Sequence, residues 1–335
     1  MKNLKYTIMW FLMFAVILPG CIMALPSLGS GQEVRPDGAI RITYSHGKIS
    51  CQNPAFSPSG EYILFTRFLN GYNEGPSELV KINIITLEEN IVISTEDNDN
   101  VNVPGPSWID KKICWASDRG GNSDEIYIAD DNGQNIYQVT NHPENEGYYI
   151  EPVFDPVDTN KIIFEYGPSD YDPHHIAIVE IDKGNRVTLL TNDPNYDDRL
   201  PSWSFGGKDI LFQRANKGKD NWQIYKAKII LAPVPHLEDI VKLSQPYAHN
   251  TDNSWYVNDV YVLSSSDYDI QIPNIYAFPI DGRMPSRITN SLECEDGAPS
   301  CSPSGKWIAF ESHRGGDEED PSDIWIILAP KELNK

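Results

Sequence analysis

The sequence predicts an all-β fold: a six-bladed β-propeller of four-stranded antiparallel blades, closed by an N-terminal strand in the last blade. Three observations predict it. A short pattern recurs six times around anchor residues Phe56, Trp108, Phe154, Trp203, Trp255 and Cys301, which lie 52, 46, 49, 52 and 46 residues apart. Each anchor is followed by the same succession of turns and short apolar runs. The last copy lacks its final run, while a spare one lies ahead of the first copy. Periods of this length belong to repeat architectures, in which neighbouring units bury a shared core.

Each copy opens with an inner strand that ends on the anchor. Five copies carry proline two residues before it (Pro54, Pro106, Pro152, Pro201 and Pro299), and Asn253 takes that place in the fifth copy. A reversal follows, as in Ser57-Pro58-Ser59-Gly60 and Ser302-Pro303-Ser304-Gly305, with Pro and Gly where a tight turn needs them. The second strands are expected at 62–65, 113–115, 162–164, 210–212, 260–263 and 307–310. They are short and rich in β-branched and aromatic residues, so they read as buried. The third runs include 125–128, 223–225, 274–276 and 323–326, which alternate as half-buried strands do. The fourth are expected at 91–93, 136–139, 187–190, 240–243 and 287–289. Four strands in about 45–50 residues suit a propeller blade. No amphipathic stretch is long enough for a helical domain.

The missing strand of the sixth blade is expected from Ile40-Arg41-Ile42-Thr43-Tyr44, which matches Ile288-Thr289. This closure hides two strand edges that would otherwise pair with other chains.

The stretch from Ala116 to Ile128, containing Ser117-Asp118-Arg119-Gly120-Gly121 and Ile126-Tyr127, resembles the TolB-type, WD-like propeller repeat. Phe56-Ser57-Pro58-Ser59-Gly60 and Glu311-Ser312-His313-Arg314-Gly315-Gly316 are similar to it too. The resemblance covers residues 40 to 330 and implies the fold, with little to say about function. TolB places a small α/β domain ahead of its propeller. Only about twenty residues separate the signal region from the first strand here, so that domain is not expected and the Tol–Pal role is not carried over intact.

Lys2 and Lys5 precede the apolar run from Ile8 to Leu18, which reads as a secretory signal over 1–20, too short for a comfortable membrane span. Leu18-Pro19-Gly20-Cys21 looks like a lipobox, with Cys21 lipidated; ordinary cleavage downstream or an uncleaved anchor are the alternatives. Residues 21–38 read as a flexible tether, 39–330 as the propeller and 331–335 as a tail. The expected location is extracytoplasmic, in the periplasm or at the cell surface. The formal charge is −21, with no basic patch, which argues against nucleic acid and against membrane contact except through the N-terminus.

Disulfides are permitted in such a compartment. Cys51 and Cys294 flank the closure seam and could staple it; Cys294–Cys301 is the rival pairing, and no bridge is the third alternative. Cys114, inside an apolar run, reads as a free core thiol.

The link from the outer strand of one blade to the inner strand of the next crosses one face of a propeller. Residues three to five positions before each anchor are therefore expected at the channel mouth: Gln52 and Asn53, Pro104 and Gly105, Tyr149 and Glu151, Asp198 and Arg199, Thr251 and Asp252, Asp296 and Gly297. Carboxylates of four blades and one arginine would converge there. They could hold Ca²⁺, which takes oxygen ligands, or bind a peptide or saccharide. Solvated loop residues, or a buried pair such as Asp198 with Arg199, are the alternatives. His46, His142 and His249 lie at unequal depths and read as scattered surface residues, and His174-His175 as an exposed strand start. Asp97-Asn98-Asp99-Asn100 lacks the glycine and glutamate of a calcium loop and reads as a polar turn.

No G-x-S-x-G, H-E-x-x-H or phosphate loop occurs. Only seven residues follow Leu328, so the hydrolase domain of propeller peptidases is not expected. The sequence therefore points to a monomeric, non-catalytic scaffold that binds envelope proteins, peptides or a saccharide without a required cofactor. The alternative is a metal-assisted lyase, hydrolase or lactonase with its site at the channel mouth, which is an analogy of fold alone.

Overall fold

A computed structural model describes residues 32–95, 101–121, 123–142, 147–169, 172–245, 247–315 and 319–334, with backbone alone over 101–106. The signal, Cys21 and the 97–100 turn lie outside the described residues.

The architecture is six four-stranded antiparallel sheets. Blade one is β2 (Ser50–Phe56), β3 (Tyr62–Phe68), β4 (Ser77–Asn83) and β5 (Glu89–Ile93). Blade two is β6 (Val101–Ile109), β7 (Lys112–Ser117), β8 (Glu125–Asp130) and β9 (Tyr137–Gln138). Blade three is β10 (Tyr148–Phe154), β11 (Lys161–Gly167), β12 (His175–Glu180) and β13 (Arg186–Leu189). Blade four is β14 (Tyr196–Trp203), β15 (Asp209–Asn216), β16 (Gln223–Ile230) and β17 (His236–Lys242). Blade five is β18 (Asn250–Trp255), β19 (Tyr261–Ser266), β20 (Asn274–Pro279) and β21 (Ser286–Arg287). Blade six is β22 (Asp296–Cys301), β23 (Trp307–His313), β24 (Ser322–Leu328) and the N-terminal β1 (Ile40–Arg41).

The core lies between blades. Six apolar clusters each join residues of two neighbouring sheets, such as Phe212 with Ile163 and Phe310 with Leu263. A sheet sandwiched between two others has both faces covered. Most third strands are therefore buried on both sides, not half-buried as their alternation suggests: β20 is buried at all six positions, whereas β16 keeps partly buried Tyr225 and Lys226 and an exposed Lys228. Solvent meets the outer strands instead, as in the largely exposed β17.

In blades two to six a hydroxyl fixes the outer strand to the third. Thr140, Thr191, Ser244 and Thr289 follow an apolar residue at the end of the fourth strand and accept the backbone N–H of Ile126, Ile176, Ile224 and Ile275 at 2.8–3.0 Å. Thr43 does the same for Ile324 at 2.8 Å in blade six. The match between Ile42-Thr43 and Ile288-Thr289 thus reflects one repeated bond.

Closure uses charge as well as pairing. Ile40 opposes Ile326 and Arg41 opposes Trp325. Asp323, fully buried, accepts from Arg41, Thr43 Oγ1 and Ser45. Arg35 grips both carboxylate oxygens of Asp296 at 2.8 Å. No disulfide staples this seam: Cys51, Cys114, Cys294 and Cys301 are free thiols. Cys51 is taken up in the apolar seam with Ile42, Ile63 and Trp307, while Cys294 lies in the link after blade five. The expected tail also belongs to the domain. Lys331–Asn334 forms a 3₁₀ turn that buries Leu333, and Tyr256 donates its hydroxyl to Asn334 at 2.9 Å. Among the described residues, no helix is long and apolar enough to cross a membrane.

Candidate functional site

The inner strands β2, β6, β10, β14, β18 and β22 enclose a central cavity of about 410 Å³. Its walls are the anchors, including Phe56, Trp108, Phe154, Trp203 and Trp255, with Pro54, Pro201 and Pro299 beside them. Each inner strand slips register just before its anchor, for example between Ile150 and Val153 and between Thr251 and Ser254. Such a bulge bends the strand and re-aims a side chain. The residue three before the anchor is left-handed in five blades: Asn53 (φ 53°), Glu151 (57°), Leu200 (50°), Asp252 (54°) and Ala298 (45°). None is glycine, so each carries a conformation that L-residues rarely adopt. All five line the cavity.

The preceding blade ties these bulges down. Glu311 Oε2 accepts the Asn53 N–H at 2.8 Å, Glu165 Oε2 the Leu200 N–H at 3.0 Å, and Gln213 Oε1 the Asp252 N–H at 3.3 Å. The Asp252 carboxylate itself accepts the backbone N–H of Ala298. Glu165 is further held by His174, whose Nε2 meets Tyr148 Oη at 2.9 Å. Tyr72 donates to Glu311 Oε1 at 2.9 Å and packs on His313 with ring centroids 4.6 Å apart.

Three carboxyl groups therefore crowd one region. Burial, then Asp252, pushes Glu311 up to about 7, despite the hydrogen bonds from Asn53 and Tyr72. Burial also raises Asp252. Burial, then Glu165, Asp252 and Glu311, holds Glu151 well above the ordinary carboxylate range, and Arg199 offsets this only in part. The Glu151 side chain makes no hydrogen bond or ion pair among the described residues, and the residue lines the cavity. Asn253, 7% exposed and also lining the cavity, donates Nδ2 to the Leu200 carbonyl at 2.9 Å but has an unpartnered amide oxygen. The indole N–H groups of Trp108 and Trp203 are likewise unpartnered among the described residues.

Of the residues expected at the mouth, Asn53, Glu151 and Asp252 come together on the cavity. Four others turn away into the blades. Gln52 is buried and donates to Ser50 Oγ at 3.0 Å. Asp198 and Asp296 have fully buried side chains, the first held by Arg214 at 2.6 and 2.8 Å and the second by Arg35. Tyr149 packs against His142, Phe164 and Tyr166. Arg199 pairs with Asp197 at 2.9 Å, not Asp198, and stands 5.2 Å from the Trp222 ring centre. His174, expected exposed, is buried because its imidazole completes the Glu165 network. Among the described residues, no three His, Cys, Asp or Glu side chains group to hold a metal ion.

The sequence reading missed Leu200 and Ala298, the walls made by the anchors, and Glu165, Gln213 and Glu311. A signal for the last three exists. Phe164-Glu165, Phe212-Gln213 and Phe310-Glu311 each set an acceptor directly after a fully buried phenylalanine, at the same place in three blades.

Solved structures share this architecture. An oligogalacturonate lyase from Vibrio parahaemolyticus aligns over 90% of this chain and 97% of its own, with TM-score 0.55 and 14% identity. TolB from Acinetobacter baumannii aligns over 85% of this chain and 64% of its own, with TM-score 0.55 and 15% identity. A gluconolactonase from Xanthomonas campestris aligns over 88% and 89%, with TM-score 0.59 and 11% identity. The likeness is one of fold. Neither a scan of known protein families nor a search of curated proteins finds a match to this chain. The TolB-like propeller architecture is thus supported, and because TolB and two enzymes share it, the fold favours no single role.

Proposed function

We propose that the chain is a binding module of the cell envelope, exported and lipid-anchored through Cys21, whose central cavity takes a small ligand or the end of a peptide. Glu151 carries this reading. Its backbone is left-handed, its carboxyl is crowded by others, and its side chain has no hydrogen bond or ion pair among the described residues. Strain and desolvation gathered on one cavity-facing group are costs that binding sites bear and structural sites avoid. The apolar walls with few polar groups match the usual make-up of small-ligand sites.

The test compares capture from envelope extract by the wild type and by Val153→Trp, which fills the cavity from its wall. Ligands retained by the wild type should be lost from a variant that melts normally. Identical retention by both proteins overturns the cavity reading.

A second reading draws on Glu311, whose raised pKa of about 7 suits proton transfer. In it the propeller is a metal-assisted lyase, hydrolase or lactonase. Metal analysis of the purified protein tests it: a stoichiometric divalent ion lost on Glu151→Gln favours the enzyme, and its absence removes that reading.

A further inference from the structure

We infer that the central cavity is a site for a primary ammonium group carried on an apolar stem, supplied by a free arylalkylamine or by the amino end of a peptide. This rests on the reading of the cavity as a binding site and names its ligand class.

The charged groups lining the cavity have one sign. Glu151 and Asp252 line it, and Glu311 stands directly behind: a Cβ on Gly297 would lie 3.2 Å from Asp252 Oδ2 and 3.7 Å from Glu311 Cγ. Arg199 offsets Glu151, but its guanidinium is engaged by Asp197. A cation would therefore relieve a repulsion already built into the wall. The donor count narrows the cation. An ammonium offers three N–H groups. Glu151, Asp252 and the unpartnered oxygen of Asn253 offer acceptors on three different residues. Calcium asks for six to eight oxygens, whereas Ser107 and Ser300 already accept backbone N–H groups, Ser254 donates to the Pro299 carbonyl, and most of the remaining wall is aromatic, proline or aliphatic. Those rings suit an apolar stem, and tryptophan faces attract cations. The unpartnered N–H of Trp203, which also lines the cavity, suits a carbonyl beyond the amine, as a peptide would provide.

Calorimetric titration of the mature protein tests the inference with phenethylamine, neutral 2-phenylethanol, the tripeptide Phe-Ala-Ala and its N-acetyl form. Charge-assisted hydrogen bonds are worth about 1.5–3 kcal/mol, so at pH 8 the amine should bind at least about tenfold tighter than the alcohol. The same ratio should separate the free and acetylated peptides if the source is a peptide; preference confined to phenethylamine assigns the free amine. In Glu151→Gln/Asp252→Asn the ratios should fall to near unity. Should that variant fold poorly, the wild type at pH 4.5 serves instead. There Glu151, held well above the ordinary carboxylate range and facing Glu165, Asp252, Glu311 and Arg199, takes up a proton, Asp252, facing His249, moves towards its neutral form, and the preference should shrink. Equal affinity for amine and alcohol, both abolished by Val153→Trp, overturns the ammonium assignment and leaves the cavity reading standing. Amine preference surviving in the double variant overturns it as well. No binding by any probe also overturns it, and the capture experiment then decides the cavity reading independently.

Discussion

Arg35→Met tests whether the ring is held shut by a buried ion pair. Arg35 precedes β1, and its Nη1 and Nη2 each meet one oxygen of Asp296 at 2.8 Å. The Asp296 side chain is 0% exposed and that of Arg35 15%. Burial disfavours the guanidinium charge, yet Asp296 and Asp37 hold it firmly protonated. Methionine keeps an apolar stem against Phe310 and Trp325, whose ring centres lie 5.2 Å from the guanidinium, and removes only the charge and its bonds. The two charge-assisted hydrogen bonds to Asp296 alone, at about 1.5–3 kcal/mol each, give about 3–6 kcal/mol, and the bonds to Asp37 and Ser312 are lost with them. Stripping one partner from a buried pair costs about 3–5 kcal/mol by a separate route. The two agree, so we expect a loss of about 3–5 kcal/mol. Urea unfolding followed by tryptophan fluorescence measures it. With a slope of about 3 kcal/mol/M the midpoint should fall by about 1–1.7 M, and by proportionately less if the slope is steeper. Arg35→Met/Asp296→Asn removes both charges and should recover much of the loss. A cost under about 1 kcal/mol, or a double variant no better than the single one, would refute the reasoning.

Three further outcomes are expected. Thr43→Val strands the Ile324 N–H and removes a donor from Asp323, so it should cost about 1–3 kcal/mol by urea unfolding; an unchanged midpoint would show that β1 closes the ring without that hydroxyl. Glu311 has a folded pKa of about 7 against an ordinary value of 4.5. The folded state therefore binds more protons between these values, and this group's contribution is fully present below about 4.5 and lost as pH rises through about 7. Glu311→Gln should flatten melting temperature against pH in that window and stabilise the protein at pH 8, by up to about 3 kcal/mol; a less stable variant at pH 8 contradicts this. Ala298→Gly relieves a left-handed alanine, gaining about 1–2 kcal/mol less about 0.5–1 of chain entropy. Ala298→Val should lose stability, and the reverse order of melting temperatures would show that the bulge is not strained.

The fold was legible because its repeat is written in residues that most or several blades share. The Ser-Pro-Ser-Gly turn and the hydroxyl that follows the fourth strand serve local bonds, so they recur in sequence as they recur in space, and proline before the anchor marks five of the six copies. Even the closure could be read, since Thr43 makes the same hydrogen bond as Thr289. The site was legible only in part. Sequence spacing placed three to five positions before the anchor at one depth, but a bulge after the second of these separates their directions. Asn53, Glu151 and Asp252 turn to the cavity, whereas Asp198 and Asp296 turn to arginines from other strands. Nothing in the local sequence announces the bulge, because the left-handed residue is Asn, Glu, Leu, Asp or Ala rather than glycine. Nor does charge reveal its partner. Arg214 lies 16 residues from Asp198 and Arg35 lies 261 from Asp296, distances only the pairing of strands can bridge.

The channel acids separate by what else they do. Glu165 and Glu311 each cap the left-handed residue of the next blade, so the ring would keep them whether or not anything bound. In blade five no second-strand carboxylate is available: Ser265 Oγ donates to the Asp296 carbonyl, and Asp252 takes over the capping of Ala298. Asp252 thus serves the fold and the cavity together. Glu151 serves only the cavity, since in blade four the equivalent Leu200 N–H is already capped by Glu165. The cavity-facing acids therefore come from blades three and five, flanking the apolar Leu200, while Asn53 and Ala298 present short side chains from blades one and six. Charge in the channel is lopsided although the backbone around it is nearly six-fold. A cation drawn into such a ring settles off its axis, between β10 and β18, and the departure from symmetry is what gives one site instead of six.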